Sequence, residues 1–287
     1  MSLGIYLHIP FCKQKCLYCD FNSYAGKERM VEEYCHALEQ EILSYPAGDA
    51  VATIYFGGGT PTVLGAERLA ALLGVLKAHF SLAKNCEITA ECNPGTIDKA
   101  GLSMLYQAGF NRLSIGLQST DDETLKKLGR IHSYQEFLEC FQNAREVGFS
   151  NLSLDLMYGL PNQTPEEWKK TLREALRCCP EHLSCYGLKI EEGTPFARME
   201  LSLPSDDDVR KMYDDCVEVL QGAGYERYEI SNFAKPGLES RHNCRYWRYE
   251  NFVGFGAGAY SCKEGKRWFN VAGIPDYCRA ISQSKSA

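Results

Sequence analysis

The chain has 287 residues, of which 45% are hydrophobic and 24% charged, and this composition excludes fibrous and disordered proteins. Its formal net charge of −6 argues against a protein whose main task is to hold a nucleic-acid backbone. No apolar run approaches the roughly 20 residues of a membrane span, and the amino terminus lacks the pattern of a signal peptide. We therefore predict a cytoplasmic protein with no transmembrane segment and no nucleic-acid partner.

Six short aliphatic and β-branched runs, each followed by a loop and a helical pattern, alternate along the first part of the chain. Continuous apolar runs typical of parallel strands cover Ile5–Ile9, Thr53–Phe56, Glu87–Glu91, Arg112–Leu117, Asn151–Met157 and His182–Leu188. Apolar residues at helical spacing cover Glu28–Ser44, Ala66–Phe80, Asp98–Ala108, Tyr134–Val147, Glu166–Arg177 and Asp206–Gln221. Asp98, Thr164 and Ser205 have the side chains that commonly begin helices.

These units predict an α/β fold, an incomplete (β/α)6 TIM-like barrel over residues 1–222. A complete barrel has eight units, and residues 223–287 are instead rich in glycine and aromatic residues. We expect those residues to form a carboxy-terminal extension. A doubly wound parallel sheet is the alternative fold.

Cysteine is unusually frequent, with 14 residues in a chain that shows no sign of export. Most are predicted to be small buried hydrophobes. Cys12, Cys16 and Cys19 differ because they share one short loop directly after the first strand, where a parallel barrel places its binding loops. Three thiolates can hold three corners of a [4Fe–4S] cluster and leave the fourth iron open. Structural zinc, with His8 or Asp20 as a weaker further ligand, and three unligated thiols are the alternatives.

Small and polar residues follow the later strands. A run of three glycines, Gly57–Gly59, comes after the second strand and lets the backbone approach a ligand closely. Polar residues at or just after the ends of the next strands are Glu91, Gln118, Arg130 and Asp155. Each has an ordinary alternative as a cap or a surface ion pair. Asp155 fits that alternative least, since it interrupts an apolar run and a buried carboxylate needs donors such as the hydroxyls of a ribose.

The segment HIPFCKQKCLYCDF carries the CxxxCxxC signature of the radical S-adenosylmethionine (SAM) proteins. Together with GGGTPT, ECNPGT, SIGLQS, GRIHS and DLMYGLP it resembles the oxygen-independent coproporphyrinogen III oxidase-like branch of that superfamily over essentially the whole chain. The resemblance implies that SAM chelates the open iron of a cluster held by the three loop cysteines. It assigns the methionyl end of SAM to Tyr6, Gly58 and Glu91, and other SAM atoms to Gly59, Thr60, Gln118, Arg130 and Asp155. Arg130 is the natural carboxylate partner by charge, and Tyr18 is suited to shield the cluster or the adenine.

Two groups of this branch fit the sequence differently. The oxidases decarboxylate two propionates of a tetrapyrrole, and their motif carries an extra Cys where this chain has Phe21. Cys-Asp-Phe resembles instead the haem chaperones of HemW type, which bind haem and transfer it to acceptor proteins. Residues 241–248, RHNCRYWR, match the HNxxYW motif of those chaperones. The segment supplies His242 for haem iron, Cys244 as a second or alternative ligand, two aromatics for stacking and three arginines for propionates. A packed Tyr–Trp corner with arginines in solvent is the ordinary alternative.

The resemblance therefore implies a haem chaperone-like radical SAM protein that binds a [4Fe–4S] cluster, SAM and haem. Its implied partners are haem-acceptor proteins and an electron donor for the cluster. It has the fold of a coproporphyrinogen dehydrogenase, and we predict that it lacks that activity. The alternatives are the oxidase itself, acting on a porphyrinogen, and a metalloprotein without redox chemistry. Members of both groups run longer than this chain, which implies a further carboxy-terminal part.

Overall fold

The structure is a computed structural model that describes residues 2–283. Within that range the strands are β1 (Leu3–Ile9), β2 (Phe11–Cys12), β3 (Tyr24–Ala25), β4 (Ala50–Gly58), β5 (Ser81–Cys92), β6 (Arg112–Gln118), β7 (Leu152–Tyr158), β8 (His182–Gly187), β9 (Glu226–Arg227), β10 (Asn232–Ala234), β11 (Phe252–Phe255), β12 (Tyr260–Lys263) and β13 (Lys266–Phe269). The helices are α1 (Val31–Ser44), α2 (Ala66–His79), α3 (Lys99–Ala108), α4 (Asp122–Lys127), α5 (Tyr134–Val147), α6 (Pro165–Arg177), α7 (Asp206–Gly222), α8 (Arg241–Trp247) and α9 (Ile274–Ser282). Short 3-10 turns occupy Glu28–Met30, Pro61–Leu64 and Phe196–Arg198.

Strands β1, β4, β5, β6, β7 and β8 are parallel neighbours in this order, and helices connect them. The prediction of an incomplete (β/α)6 barrel is confirmed. The apolar runs in the sequence mark the buried part of each strand, and the hydrogen-bonded pairing between strands extends beyond that part. In β5, the stretch from Ser81 to Asn85 is largely exposed but still belongs to the strand, so the predicted start at Glu87 was too late.

The predicted helix starts are confirmed in three cases. The side chains of Asp98, Thr164 and Ser205 each accept a hydrogen bond from the backbone N–H three residues further on. These bonds satisfy donors that an α-helix leaves without a partner at its amino end. The first predicted helix begins later than expected, because Glu28–Met30 forms a 3-10 turn before α1.

The extension after residue 222 adds strands to both edges of the barrel sheet. On one side β11 pairs in parallel with β1 and leads to the β12–β13 hairpin, and on the other side β10 and β9 pair antiparallel beside β8. Along the chain, helix α8 lies between β10 and β11. Its first two N–H groups, of Arg241 and His242, donate to the carboxylate of Glu87 on β5. This carboxylate anchors α8 to the barrel. The boundary between 222 and 223 stays a prediction.

Most cysteines outside the loop pack in the interior as predicted. Cys179 is exposed, so for this residue the prediction is wrong. It follows α6 in a turn with a left-handed backbone, at φ 51°. Among residues 2–283, no helix is long and apolar enough to cross a membrane.

Candidate functional site

The three cysteines of the loop after β1 face one cavity at the carboxyl ends of the barrel strands. Cys12, Cys16 and Cys19 all line this cavity, which has a volume of about 410 Å³ and is called here the cluster cavity. The Cys19 N–H donates to the Cys16 carbonyl at 3.2 Å, and the Thr60 hydroxyl lies 3.7 Å from the Cys12 sulfur. Strands β2 and β3 pair and close the loop. The fold therefore brings the predicted thiol ligands to a single opening.

The spacing of these thiols bears on the alternative of a single zinc ion. In the described part of the chain, no three His, Cys, Asp or Glu side chains are grouped so that they could hold one metal ion. An iron–sulfur cluster makes a different demand, because each thiolate binds a different iron. Three thiols that line one cavity match the three protein ligands of a [4Fe–4S] cluster whose fourth iron is open.

The glycine segment after β4 approaches the cysteine loop closely. A Cβ atom on Gly59 would stand 2.6 Å from the Phe11 carbonyl oxygen and 3.0 Å from the Cys12 sulfur. Gly58 has φ 113°, and a Cβ there would meet the His8 ring at 2.7 Å. The Gly59 N–H also donates to the Ile9 carbonyl at 2.8 Å. Only glycine allows this backbone to run beside the predicted cluster ligands.

Glu91 and Asp155 are two of the carboxylates that line the cluster cavity. Glu91, at the end of β5, accepts from the Tyr55 hydroxyl at 2.9 Å and from the Gly58 N–H at 3.1 Å. Burial and then repulsion by Asp155 raise the pKa of Glu91 to about 7. Asp155, on β7, accepts from the Ser114 hydroxyl at 3.2 Å, and burial raises its pKa. Both groups are poised to receive donors from a ligand, which would stabilise their ionised forms.

Arg130 joins the cysteine loop to the strand ends. One terminal nitrogen, Nη2, donates to Asn93 at 2.6 Å and to the Gly116 carbonyl at 2.7 Å, and Nη1 lies 3.5 Å from the Cys16 sulfur. Its buried Nε has no hydrogen-bond partner among residues 2–283. An unused donor on a fixed guanidinium is suited to a carboxylate.

Gln118 and Tyr18 complete the wall of the cluster cavity. Gln118 has a left-handed backbone, at φ 67°, and the pairing of β6 with β7 shifts register between Gly116 and Gln118. Such a conformation costs of order 1–3 kcal/mol for a residue with a side chain and is frequent at ligand sites. Tyr18 lies between two of the thiols in sequence, and its ring centroid is 6.4 Å from that of Phe196.

A second cavity of about 630 Å³ adjoins the first and is called here the aromatic cavity. Gly58 and Glu91 line both. Tyr6 lines only the aromatic cavity, where its hydroxyl lies 3.1 Å from His8 Nδ1. Tyr246 and Trp247 of α8 form another part of its wall. The two cavities therefore share the region that was predicted for the methionyl end of SAM.

His242 lines neither of the two cavities. It is completely buried, with Nδ1 2.9 Å from the Thr53 hydroxyl and Nε2 2.8 Å from the Tyr246 hydroxyl. Burial lowers the pKa of its imidazole to about 3, so the ring is neutral. Its ring stacks on Tyr55 with centroids 5.3 Å apart. In this conformation His242 supports Tyr246 and has no free nitrogen for a metal.

The three arginines of the same segment point elsewhere. Arg241 donates to the Asn85 carbonyl at 2.6 Å. Arg245 is buried and donates to the Ser2 carbonyl at 2.9 Å, and Arg248 lies 3.9 Å from the Glu250 carboxylate. The expectation that all three face a ligand is therefore wrong for the buried Arg245, which instead ties the amino terminus to α8.

Sequence reasoning missed the residues that hold the predicted ones in place. Tyr55 fixes Glu91, Asn93 bonds both Arg130 and the Thr60 hydroxyl, and Ser114 fixes Asp155. In the sequence, Tyr55 lies two residues before the run of three glycines and Asn93 lies two residues after Glu91. Their proximity to these motifs could have identified them as site residues. Arg112 was also missed; it is buried and lines the floor of the cluster cavity.

Comparisons with known proteins agree with this geometry. Residues 6–175 match the Radical SAM superfamily. The chain is 41% identical to "Heme chaperone HemW" of Bacillus subtilis, over 97% of this chain and 76% of that protein. It is 42% identical to the protein of the same name from Escherichia coli, over 90% of this chain and 69% of the relative. Among solved structures, coproporphyrinogen III oxidase (HemN) from Escherichia coli superposes with a TM-score of 0.88 at 28% identity, covering 98% of this chain and 69% of that one.

The fold, the cysteine loop and the glycine segment are those of a radical SAM protein, and membership of that superfamily implies a [4Fe–4S] cluster and SAM. Within the superfamily, the chain belongs to the family of the heme chaperones HemW.

Proposed function

We propose that this chain is a cytoplasmic haem chaperone that binds a [4Fe–4S] cluster, SAM and haem and delivers haem to acceptor proteins. The observation that carries the proposal is the junction of two cavities at the barrel mouth. One is lined by three thiols and the predicted SAM residues, and the other by aromatic side chains. Relatives named heme chaperones match the chain at 41–42% identity. The solved oxidase matches it at 28%, and Phe21 replaces the extra cysteine that the oxidases carry.

The cluster ligands in this proposal are Cys12, Cys16 and Cys19. Their shared cavity and the close approach of Gly59 support the assignment. A cluster held by these three cysteines would supply electrons to SAM and would receive them from an electron-donor protein. The loop around it is held by the Leu17 N–H, which donates to the Leu128 carbonyl at 3.0 Å.

Each chemical group of SAM suits a different side chain of the site. Arg130, which lines the cluster cavity, suits the carboxylate of SAM, and Glu91 suits its ammonium group. Asp155 suits the two hydroxyls of the ribose. The backbone of Gly58, Gly59 and Thr60 lines the same cavity and is proposed to contact SAM there. The remaining contacts are proposed for Tyr6, Tyr18 and Gln118.

Haem binding is proposed for the His242–Trp247 segment. Tyr246 and Trp247 offer faces on which a porphyrin can stack. Iron ligation by His242 requires its Nε2 to exchange the Tyr246 hydroxyl for the metal. Cys244, which is half-buried, is the alternative ligand.

Haemin titration of the anaerobically reconstituted protein tests the function, with a Soret band as the readout. We expect a saturable band and no conversion of coproporphyrinogen III to protoporphyrinogen IX, whereas turnover would identify the oxidase instead. His242→Ala and Cys244→Ala form a matched pair, because the one that alters the Soret band identifies the ligand. A triple Cys→Ala variant of the loop should lose the visible absorbance of the cluster, and four irons and four sulfides bound to it would disprove the ligand assignment.

A further inference from the structure

Four large aromatic side chains around the aromatic cavity are unusually exposed. Phe21, Trp247, Tyr249 and Tyr260 leave 65%, 59%, 77% and 58% of their surfaces open. They come from the cysteine loop, from α8 and the turn after it, and from β12. Convergence of separate segments on one apolar opening marks a ligand site, since single exposed aromatics need no such arrangement.

The β12–β13 hairpin forms another part of the wall of the aromatic cavity. Tyr260 pairs with Phe269, and Cys262 pairs with Arg267. Side chains alternate along a strand, so all four lie on one face of the hairpin. Three of them, Tyr260, Cys262 and Arg267, line the aromatic cavity. The register of the hairpin thus presents an aromatic and a cationic side chain together.

Few charged side chains line the aromatic cavity. Its lining includes only two charged side chains among residues 2–283, Glu91 and Arg267. Glu91 lies at the boundary with the cluster cavity and is held by Tyr55 and Gly58. Arg267 is exposed and forms no ion pair within the described range. A ligand that fills this cavity therefore meets aromatic faces on its body and one free guanidinium at the rim.

We propose that the aromatic cavity binds a planar tetrapyrrole that carries carboxylates, and that Arg267 pairs with one of those carboxylates. The inference rests on the proposed haem function and identifies the propionate partner outside the HNxxYW segment, on the β12–β13 hairpin. A volume of about 630 Å³ lies within the roughly 300–1,000 Å³ range of small-ligand sites. The arginines of α8 do not line the cavity, which leaves Arg267 as its cation.

The shared wall adds a consequence for the two ligands. Gly58 and Glu91 border both cavities, so a tetrapyrrole in the aromatic cavity has one edge beside the predicted SAM contacts. Its carboxylates point the other way, toward the hairpin and solvent, where Arg267 lies. This orientation keeps the acidic groups away from Glu91.

Metal-free protoporphyrin IX and its dimethyl ester provide the test, because they share the ring and differ in the carboxylates. Both are titrated, with porphyrin fluorescence as the readout, against the cluster-loaded chain and against R267Q, Y260A and R248Q. R248Q is the matched control, since Arg248 is an exposed arginine that does not line the cavity. We expect R267Q to weaken binding of the diacid about tenfold and to leave the ester unchanged, Y260A to weaken both, and R248Q to change neither.

The outcomes separate the two proposals. If the parent protein binds the diacid and R267Q binds it equally well, the role of Arg267 is wrong while the haem function stands. If R248Q shows the selective loss instead, the carboxylates lie at the α8 end and the orientation is wrong. If the parent binds neither porphyrin nor haemin, the haem function itself fails, and the inference fails with it.

Discussion

Glu91 is a carboxylate whose ionisation the fold opposes, and replacing it with glutamine is expected to make the protein more stable. Its pKa rises from the ordinary 4.5 to about 7 because of burial and the nearby Asp155. Since the folded state holds the proton more tightly, the parent loses stability as the pH rises from about 4.5 to 7. Glutamine resembles the protonated acid and has no such loss.

The size of the effect follows from these two pKa values. Relative to Glu91→Gln, the mismatch between the two pKa values lowers the stability of the parent by about 1 kcal/mol at pH 5 and about 3 kcal/mol at pH 8. Denaturant unfolding of the cluster-free protein at the two pH values measures it. The variant should gain roughly 2 kcal/mol more at pH 8 than at pH 5 and should lose SAM affinity in the cluster-loaded form. An equal stability difference at both pH values would refute the reasoning.

Three further predictions concern the glycine segment, Arg130 and His242. Gly59→Ala should reduce cluster incorporation, since the added Cβ would collide with the cysteine loop, whereas Gly74→Ala, in an open position of α2, should leave it unchanged; iron and sulfide content measures both. Arg130→Lys should weaken SAM binding by about 1–3 kcal/mol while the cluster absorbance persists, and unchanged affinity by calorimetry would contradict the carboxylate contact. The folded-state pKa of His242 is about 3, so its imidazole stays neutral in the folded protein, whereas in the unfolded chain it takes up a proton below about pH 6.5. The free energy of unfolding therefore falls as the pH drops, and His242 accounts for about 2 kcal/mol of this loss at pH 5. His242→Gln should therefore show a shallower decline in acid unfolding curves, and parallel curves would contradict the shifted pKa.

The barrel was predictable from sequence because its signals are local. Parallel strands that are buried on both faces are continuous apolar runs, and the helix caps at Asp98, Thr164 and Ser205 depend on neighbours only three residues away. The convergence of Cys12 and Asp155 on one cavity was equally accessible, since the carboxyl ends of parallel strands meet at one end of any such barrel.

The environment of His242 was decided by tertiary structure. Its sequence neighbours supply a motif, but its ring nitrogen lies against Thr53, 189 residues away in the chain. Docking of α8 on Glu87 turned the imidazole inward and left Tyr246 to face the cavity. The raised pKa of Glu91 arises in the same way, from burial beside a carboxylate on another strand.

The sequence by itself therefore determined the fold class, the cysteine loop and the residue types at the barrel mouth, because each follows from periodicity or from short-range spacing. Tertiary structure alone decided which polar groups are free to meet a ligand. Arg245 and Arg267 are both arginines of the extension, yet packing buries the first against Ser2 and leaves the second open on the hairpin. Burial and hydrogen-bond partners depend on contacts between distant segments, which no local pattern records.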